Sequence, residues 1–187
     1  MTLERRKNVE GYLFFSLFCL TVPIANWMIG HVGTFCVPQG PCVLPVAPGV
    51  DAPSGVLMVG AALVLRDLLQ RRLGVQFGIV AILVGAVLSA LVAPPALVMA
   101  SATAFLLSEL ADFVVYTPLA RRRLVAAVMA SSIVGLVVDS IVFLWLAFGS
   151  LAFLEGQVIG KAWMVLIALP LIAWLRRRDE RLGLAPS

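Results

Sequence analysis

Two carboxylates and a phenol lie at helical spacing within residues 108–123. Glu109 and Asp112 are three residues apart and Tyr116 follows four residues later, so a helix places all three on one face. A charged side chain at the centre of a bilayer costs roughly 2.5–3.5 kcal/mol on insertion scales. These acids are therefore expected to face other helices rather than lipid. They are either packing partners or a cytoplasmic cap, or they form a binding site inside a helix bundle.

Further polar residues interrupt other apolar stretches. Asp139 lies in the middle of one such stretch, and Lys161 lies near the start of the next. Lys161 either extends to the membrane interface or acts as a counter-charge to Asp139 or a donor to a substrate. Arg66 and Asp67 are adjacent near the end of an earlier stretch. We interpret them as an anchor and local ion pair at a cytoplasmic helix end, or as part of a gate.

The composition indicates a membrane protein that must position these groups. Of the 187 residues, 61% are hydrophobic and 13% are charged, and the mean hydropathy is +1.04. Soluble domains are nearer half apolar and a quarter charged. A bilayer-spanning helix needs about 20 residues, so the chain has room for several. We predict an all-α, polytopic membrane protein.

Apolar runs and their punctuation predict one transmembrane domain, residues 1–187, built as a six-helix bundle. Gly74 and the pair Pro94–Pro95 separate neighbouring runs. The segment 30–53 is rich in Pro, Gly and Val, and is predicted to be a structured loop or re-entrant cap. The predicted helices are residues 11–29, 54–69, 75–92, 96–116, 124–148 and 158–175.

The basic residues predict the orientation of this bundle. They cluster before the first predicted helix, after the second, between the fourth and fifth, and after the sixth. All four clusters fall on one side of a six-helix alternation, so the positive-inside rule places both termini in the cytoplasm. The net charge of +4 is thus spread over topological anchors. This distribution argues against a nucleic-acid partner.

Two of the cysteines lie in the segment predicted to be external. Cys36 and Cys42 are either disulfide-bonded, as an oxidising compartment allows, or two unpaired thiols. Cys19 is interpreted as a packing residue of the first helix. One histidine and no paired CxxC motif give no pattern of a metal site. We expect neither a metal nor a cofactor.

Several motifs occur together in a recognisable order. They are APSGVLMVGAALVLRDLLQRRLG at 52–74, SELADFVVYTPL at 108–119, GLVVDSIVFLWLAF at 135–148, and Gly160–Lys161. In this order they resemble the vitamin uptake transporter family, also described as queuosine-precursor transporters. The resemblance covers most of the chain from Asn26 onward.

That resemblance implies a fold, a substrate and a location. Family members are six-helix proteins of the bacterial inner membrane, similar to the substrate-binding subunits of energy-coupling-factor transporters. They import 7-deazaguanines, either 7-cyano-7-deazaguanine or 7-aminomethyl-7-deazaguanine. We therefore expect a secondary importer, with proton coupling and a homodimer left open. The alternative is a substrate-binding subunit that needs a separate ATPase module, since the chain has no P-loop motif.

The resemblance also suggests roles for the polar residues. Glu109 or Asp112 would accept two hydrogen bonds from the edge of a guanine-like ring. Asn26 and Lys161 would donate to the ligand carbonyl, and one aromatic ring would stack on its plane. The predicted binding residues are Asn26, Glu109, Asp112, Phe113, Tyr116, Asp139, Phe143, Lys161 and Trp163.

A third hypothesis is an intramembrane enzyme that uses two aspartates, Asp112 and Asp139. Apart from the pair itself, the sequence contains no feature that supports it. We therefore expect a transporter and not an enzyme.

Overall fold

Six α-helices and one small sheet make up residues 3–38 and 40–183, the part of the chain that the structure describes. The structure is a computed structural model. The helices are α1 (Leu3–His31), α2 (Val56–Leu73), α3 (Val75–Val92), α4 (Val98–Ala120), α5 (Leu124–Phe148) and α6 (Leu154–Leu182). The strands are β1 (Phe35–Cys36), β2 (Cys42–Ala47) and β3 (Val50–Pro53).

The first and last helices extend beyond the predicted apolar runs into charged sequence. α1 begins at Leu3 rather than near residue 11, and α6 continues to Leu182 rather than ending near residue 175. In α6, Arg176 pairs with Glu180 one turn later at 2.8 Å, which suits a helix surface. The predicted helices ended where the apolar runs ended, but charged residues can continue a helix, and they do so in α1 and α6.

α4 continues past its predicted end at residue 116 to Ala120, with Pro118 inside the helix. A proline lacks the N–H group and disturbs the preceding turn, yet membrane helices tolerate it when neighbouring groups satisfy the freed carbonyl. α2 likewise ends later than predicted, at Leu73 instead of residue 69. Gly74 stops it with a φ of 91°, a conformation that favours glycine.

The segment predicted as a structured loop or cap contains an antiparallel sheet in the order β1–β2–β3. Cys36 faces Cys42 across β1 and β2, and Leu44 faces Ala52 across β2 and β3. The hydroxyl of Ser54 donates to the carbonyl of Met28 at 2.7 Å and so ties the end of the sheet to α1. The mainly helical fold class therefore carries one small β element.

α2 occupies the middle of the bundle, where it packs against α1, α3, α5 and α6. Twelve of its eighteen residues are buried, against five of eighteen in α3. Among the described helices, the other five are long and apolar enough to cross a membrane. α2 carries several charged residues and lacks this apolar character, because its side chains face other helices rather than lipid. The fold is that of an all-α, polytopic membrane protein.

The bundle has two chemically different ends. At one end, a recess is lined by Arg71, Arg121 and Arg122. Arg72 and Arg178 both contact Glu10 at this end. At the other end, the sheet lies between the C-terminus of α1 and the N-termini of α2 and α6. We call these the arginine end and the sheet end.

Candidate functional site

A cavity opens between the helices in the half of the bundle nearest the sheet. The space between its walls that no protein atom fills is about 650 Å³, with the open mouth included. Its wall is largely apolar, with Phe105 and Phe143 among its rings. The polar side chains in its lining are Thr21, Asn26, Ser89, Ser101, Asp139 and Gln157.

An ion pair between α5 and α6 borders this cavity. The ammonium group of Lys161 donates to Asp139 Oδ2 at 2.7 Å, to Ser140 Oγ at 2.7 Å and to Gln157 Oε1 at 2.6 Å. Lys161 is 1% exposed, so it does not extend to the interface. Of the two interpretations of Lys161 from the sequence, the structure shows the counter-charge to Asp139.

Close packing of α2 against α6 explains why Lys161 is buried. At Gly60, an added Cβ would lie 2.5 Å from the carbonyl oxygen of Lys161, which leaves no room for a side chain. The two helix backbones therefore approach closely at this level. Lys161 then lies inside the bundle, where Asp139 is its counter-charge.

Polar atoms of this network remain free to meet a ligand. Asp139 Oδ2 is taken by Lys161, whereas Oδ1 has only a long contact of 3.5 Å with Ser108. Gln157 uses Oε1 as an acceptor, and among the described residues its Nε2 group has no hydrogen-bond partner. Asn26 donates through Nδ2 to Val22 of its own helix at 3.0 Å. The cavity wall thus combines a neutralised carboxylate with two carboxamides.

A second charged cluster lies next to the cavity, towards the arginine end. Arg66 contacts Glu109 Oε2 through Nε at 3.0 Å and Asp67 Oδ1 through Nη1 at 2.8 Å. Its Nη2 group donates to Asp112 Oδ2. Arg66, Asp67 and Asp112 are 0% exposed, and Glu109 is 1% exposed. We call these four residues the Arg66 cluster.

Two aromatic residues of α4 complete the surroundings of Arg66. The rings of Phe113 and Tyr116 lie 5.8 and 5.6 Å from its guanidinium carbon. The Tyr116 hydroxyl donates to the carbonyl oxygen of Asp67 at 2.9 Å. Arg66 and Asp67 therefore form the predicted ion pair, but they lie in the bundle interior and not at an exposed helix end, so the interpretation as an anchor is wrong. A surface anchor would be exposed to solvent or headgroups.

The predicted binding residues separate into three groups. Asn26, Asp139 and Phe143 line the cavity, and Lys161 is outside the lining but bonded to Asp139. The second group belongs to or surrounds the Arg66 cluster and is absent from the described cavity lining. Its members are Glu109, Asp112, Phe113 and Tyr116.

Trp163 forms the third group, because it supports the sheet rather than the cavity. Its ring is 49% exposed, and Nε1 donates to the carbonyl oxygen of Val46 in β2 at 2.8 Å. The sheet is also closed covalently, since Cys36 and Cys42 form a disulfide bond. Both features hold the sheet beside the mouth of the cavity, where Pro53 and Gly55 belong to the lining.

Sequence reasoning missed the uncharged polar residues of the lining. Gln157, Ser89, Ser101 and Thr21 are common in helices and attract no attention individually. Gln157 had one available signal: it precedes Lys161 by four residues and so shares its helical face. The other three had no comparable signal.

Comparison with known families agrees with this architecture. Residues 89–175 match the model of the family described as "Putative vitamin uptake transporter". Over this segment the chain is similar to that family. The match confirms the predicted resemblance, and it includes Asp139, Lys161 and the acids of α4. No curated protein and no solved structure matches the chain.

Proposed function

We propose that the chain is a secondary transporter that binds a 7-deazaguanine in the cavity between its helices. The observation that carries this proposal is the neutralised carboxylate of Asp139 in a largely apolar cavity. A buried carboxylate is costly unless it is paired and hydrogen-bonded. Lys161 supplies the pairing, and the free oxygen of Asp139 is left for a ligand.

The chemistry of a guanine-like edge fits these groups. The ring N–H and the exocyclic amine are donors, and Asp139 Oδ1 is an acceptor that lacks a short hydrogen bond. The ligand carbonyl is an acceptor, and Gln157 Nε2 is a donor. Phe143 and Phe105 offer ring surfaces to the planar bicycle. The recognition roles first assigned to Glu109 and Asp112 thus pass to Asp139 and Gln157.

The same proposal assigns a place in the cell. The arginine end would face the cytoplasm of a bacterium, with both termini there and all six helices crossing the inner membrane. The cavity and the disulfide-bonded sheet would then lie on the outer side. An oxidising exterior is consistent with a bond between Cys36 and Cys42.

Thermal unfolding of the purified protein with a ligand panel tests the substrate class. A ligand that binds only the folded state stabilises it by about 2.7 kcal/mol at a hundredfold excess over Kd. We expect 7-cyano-7-deazaguanine or 7-aminomethyl-7-deazaguanine to raise the Tm, and adenine not to raise it. An unchanged Tm with both deazaguanines would contradict the proposal.

Reconstitution tests the mode of energisation. The chain has no P-loop, so ATP hydrolysis would require another protein. We expect the purified chain alone to take up 7-cyano-7-deazaguanine into proteoliposomes. Uptake that appears only with a copurified ATPase and ATP would favour the binding-subunit alternative.

A further inference from the structure

The Arg66 cluster carries unequal numbers of opposite charges. One guanidinium group contacts three carboxyl groups, those of Asp67, Glu109 and Asp112. If all four groups are ionised, two negative charges are in excess. The pair of Asp139 and Lys161, in contrast, is balanced one to one.

Within residues 3–38 and 40–183, no further cation is in direct contact with the cluster. From α5, Ser131 donates to Asp67 Oδ2 at 3.0 Å, and from α2, Gln70 accepts from Arg66 at 3.1 Å. From α4, the neutral phenol of Tyr116 contacts the Asp67 backbone. Two buried cations on the helices around the cluster are already paired: Lys161 of α6 with Asp139, and Arg71 of α2 with Asp179.

Two carboxyl oxygens in the cluster lack hydrogen-bond partners. Asp112 Oδ1 and Asp67 Oδ1 are buried, and neither has a hydrogen bond from the residues that the structure describes, although Asp67 Oδ1 is in ion-pair contact with Arg66. Asp67 and Asp112 both contact Arg66, so their carboxyl groups are neighbours around one guanidinium group. Two carboxylates cannot hydrogen-bond to each other, because neither has a proton to donate. A carboxyl and a carboxylate can.

We propose that the pair of Asp67 and Asp112 holds an exchangeable proton. The proton lies on one carboxyl oxygen and is donated towards the other aspartate, and Arg66 and Glu109 remain as a balanced ion pair beside it. Its binding removes one excess negative charge from the membrane interior, where an uncompensated charge is expensive. A site outside the cavity lining thus binds a proton, while the cavity binds the organic ligand.

The cluster and the cavity share one turn of α4. Ser108 contacts Asp139 Oδ1, and the next residue, Glu109, contacts Arg66. At Gly135 of α5, an added Cβ would lie 3.1 Å from Asp112 Cβ and 3.5 Å from Ser108 O, so α4 and α5 are in close contact there. A change in the charge of the aspartate pair therefore acts on the turn that contacts Asp139. We infer that this proton is the coupling ion of uptake, an inference that rests on the proposed transport function.

Infrared spectroscopy of the protein in lipid tests the proton without any ligand. A protonated carboxyl group gives a C=O band that a carboxylate lacks. At neutral pH we expect this band in the wild type and its loss in Asp112→Asn or Asp67→Asn. Asparagine resembles a protonated aspartate in shape and charge, so these variants are expected to fold. Glu180→Gln, at an exposed position, is the matched control and should leave the band unchanged.

Each other outcome of that experiment overturns the assignment. Absence of the band in the wild type would mean that the aspartate pair carries no proton. Loss of the band only in Glu109→Gln would place the proton on Glu109 instead. Because 7-cyano-7-deazaguanine is not needed, failure of the proposed substrate leaves this result intact.

Uptake into proteoliposomes tests the coupling. With 7-cyano-7-deazaguanine as probe, we expect an inward proton gradient to stimulate wild-type uptake several-fold. Asp112→Asn should bind the probe with unchanged affinity and lose the stimulation. Stimulation by a sodium gradient in place of a proton gradient, or a proton response that persists in both aspartate variants, would contradict the coupling.

Discussion

At the scale of single residues, two buried ionic groups differ in how their charges balance. Asp139 and Lys161 form a balanced pair that borders a cavity. Arg66 contacts three acids, and this group lies outside the cavity lining. Burying a charge is favourable only when partners compensate for lost hydration. The balanced pair can therefore face a neutral ligand, and the unbalanced group requires a proton.

Removal of Arg66 should be strongly destabilising. Arg66→Met leaves three buried acids without their cation, and breaking a buried ion pair costs about 3–5 kcal/mol. Arg176→Met is the matched control, because Arg176 is half-exposed and pairs only on the surface of α6. Its loss should cost about 0–1 kcal/mol. Chemical denaturation of both variants in detergent measures the difference, and equal stabilities would show that Arg66 is not the structural cation.

At the scale of helices, the arginine end is joined by a network around Asp179 of α6. Asp179 accepts from Arg71 Nη2 at 3.1 Å and from Arg72 Nη1 at 2.8 Å, both on α2. Arg72 and Arg178 also contact Glu10 of α1. The network connects three helices at the end opposite the cavity. In an alternating-access cycle, these contacts must separate for release on that side.

Neutralising Asp179 should loosen that end. Asp179→Asn weakens charge-assisted hydrogen bonds, each worth about 1.5–3 kcal/mol. We expect faster hydrogen exchange in the last turns of α6 and in the first turns of α1, with little change in the sheet. Glu180→Gln on the same turn, at an exposed position, is the control. Equal hydrogen-exchange protection in the two variants would show that the Asp179 network does not hold this end closed.

For the molecule as a whole, the sequence predicted the helical layout well for physical reasons. α3 and α5 begin and end at the predicted residues because glycine, proline and arginine flank uniform apolar runs. The sheet was not recognised, since β1 has two residues and β2 contains Pro45. The charged ends of α1 and α6 were also missed. Short or polar elements depend on tertiary contacts that a local pattern does not contain.

The candidate site was only partly predictable. The shared face of Glu109, Asp112 and Tyr116 followed from helical spacing, and all three are buried. Their partner could not be inferred, because Arg66 lies on another helix, 43 residues before Glu109. Gln157 carries no charge, and its one signal was its spacing of four residues from Lys161. Spacing predicts which residues share a face, whereas packing decides what that face meets.

Topology is a testable property of the whole molecule. Because the basic clusters gather at the arginine end, we expect that end in the cytoplasm and the sheet outside. After mild reduction of intact cells, a membrane-impermeant thiol reagent should label Cys36 and Cys42. Cys19, inside α1, is the internal control and should stay unlabelled. Labelling of Cys36 and Cys42 only after the membrane is permeabilised would show that the orientation is the opposite one.

Equilibrium binding of 7-cyano-7-deazaguanine, measured per folded molecule, tests the central claim most directly. Asp139→Asn and Gln157→Ala should each weaken affinity, Asp139→Asn by at least about tenfold, since a charge-assisted hydrogen bond of about 1.5–3 kcal/mol is lost and 1.4 kcal/mol is one decade. Glu155→Gln, exposed on the same helix two residues before Gln157, should bind as the wild type does. Unchanged affinity in folded Asp139→Asn and Gln157→Ala, with binding lost in folded Glu109→Gln, would contradict the assignment of the cavity as the binding site.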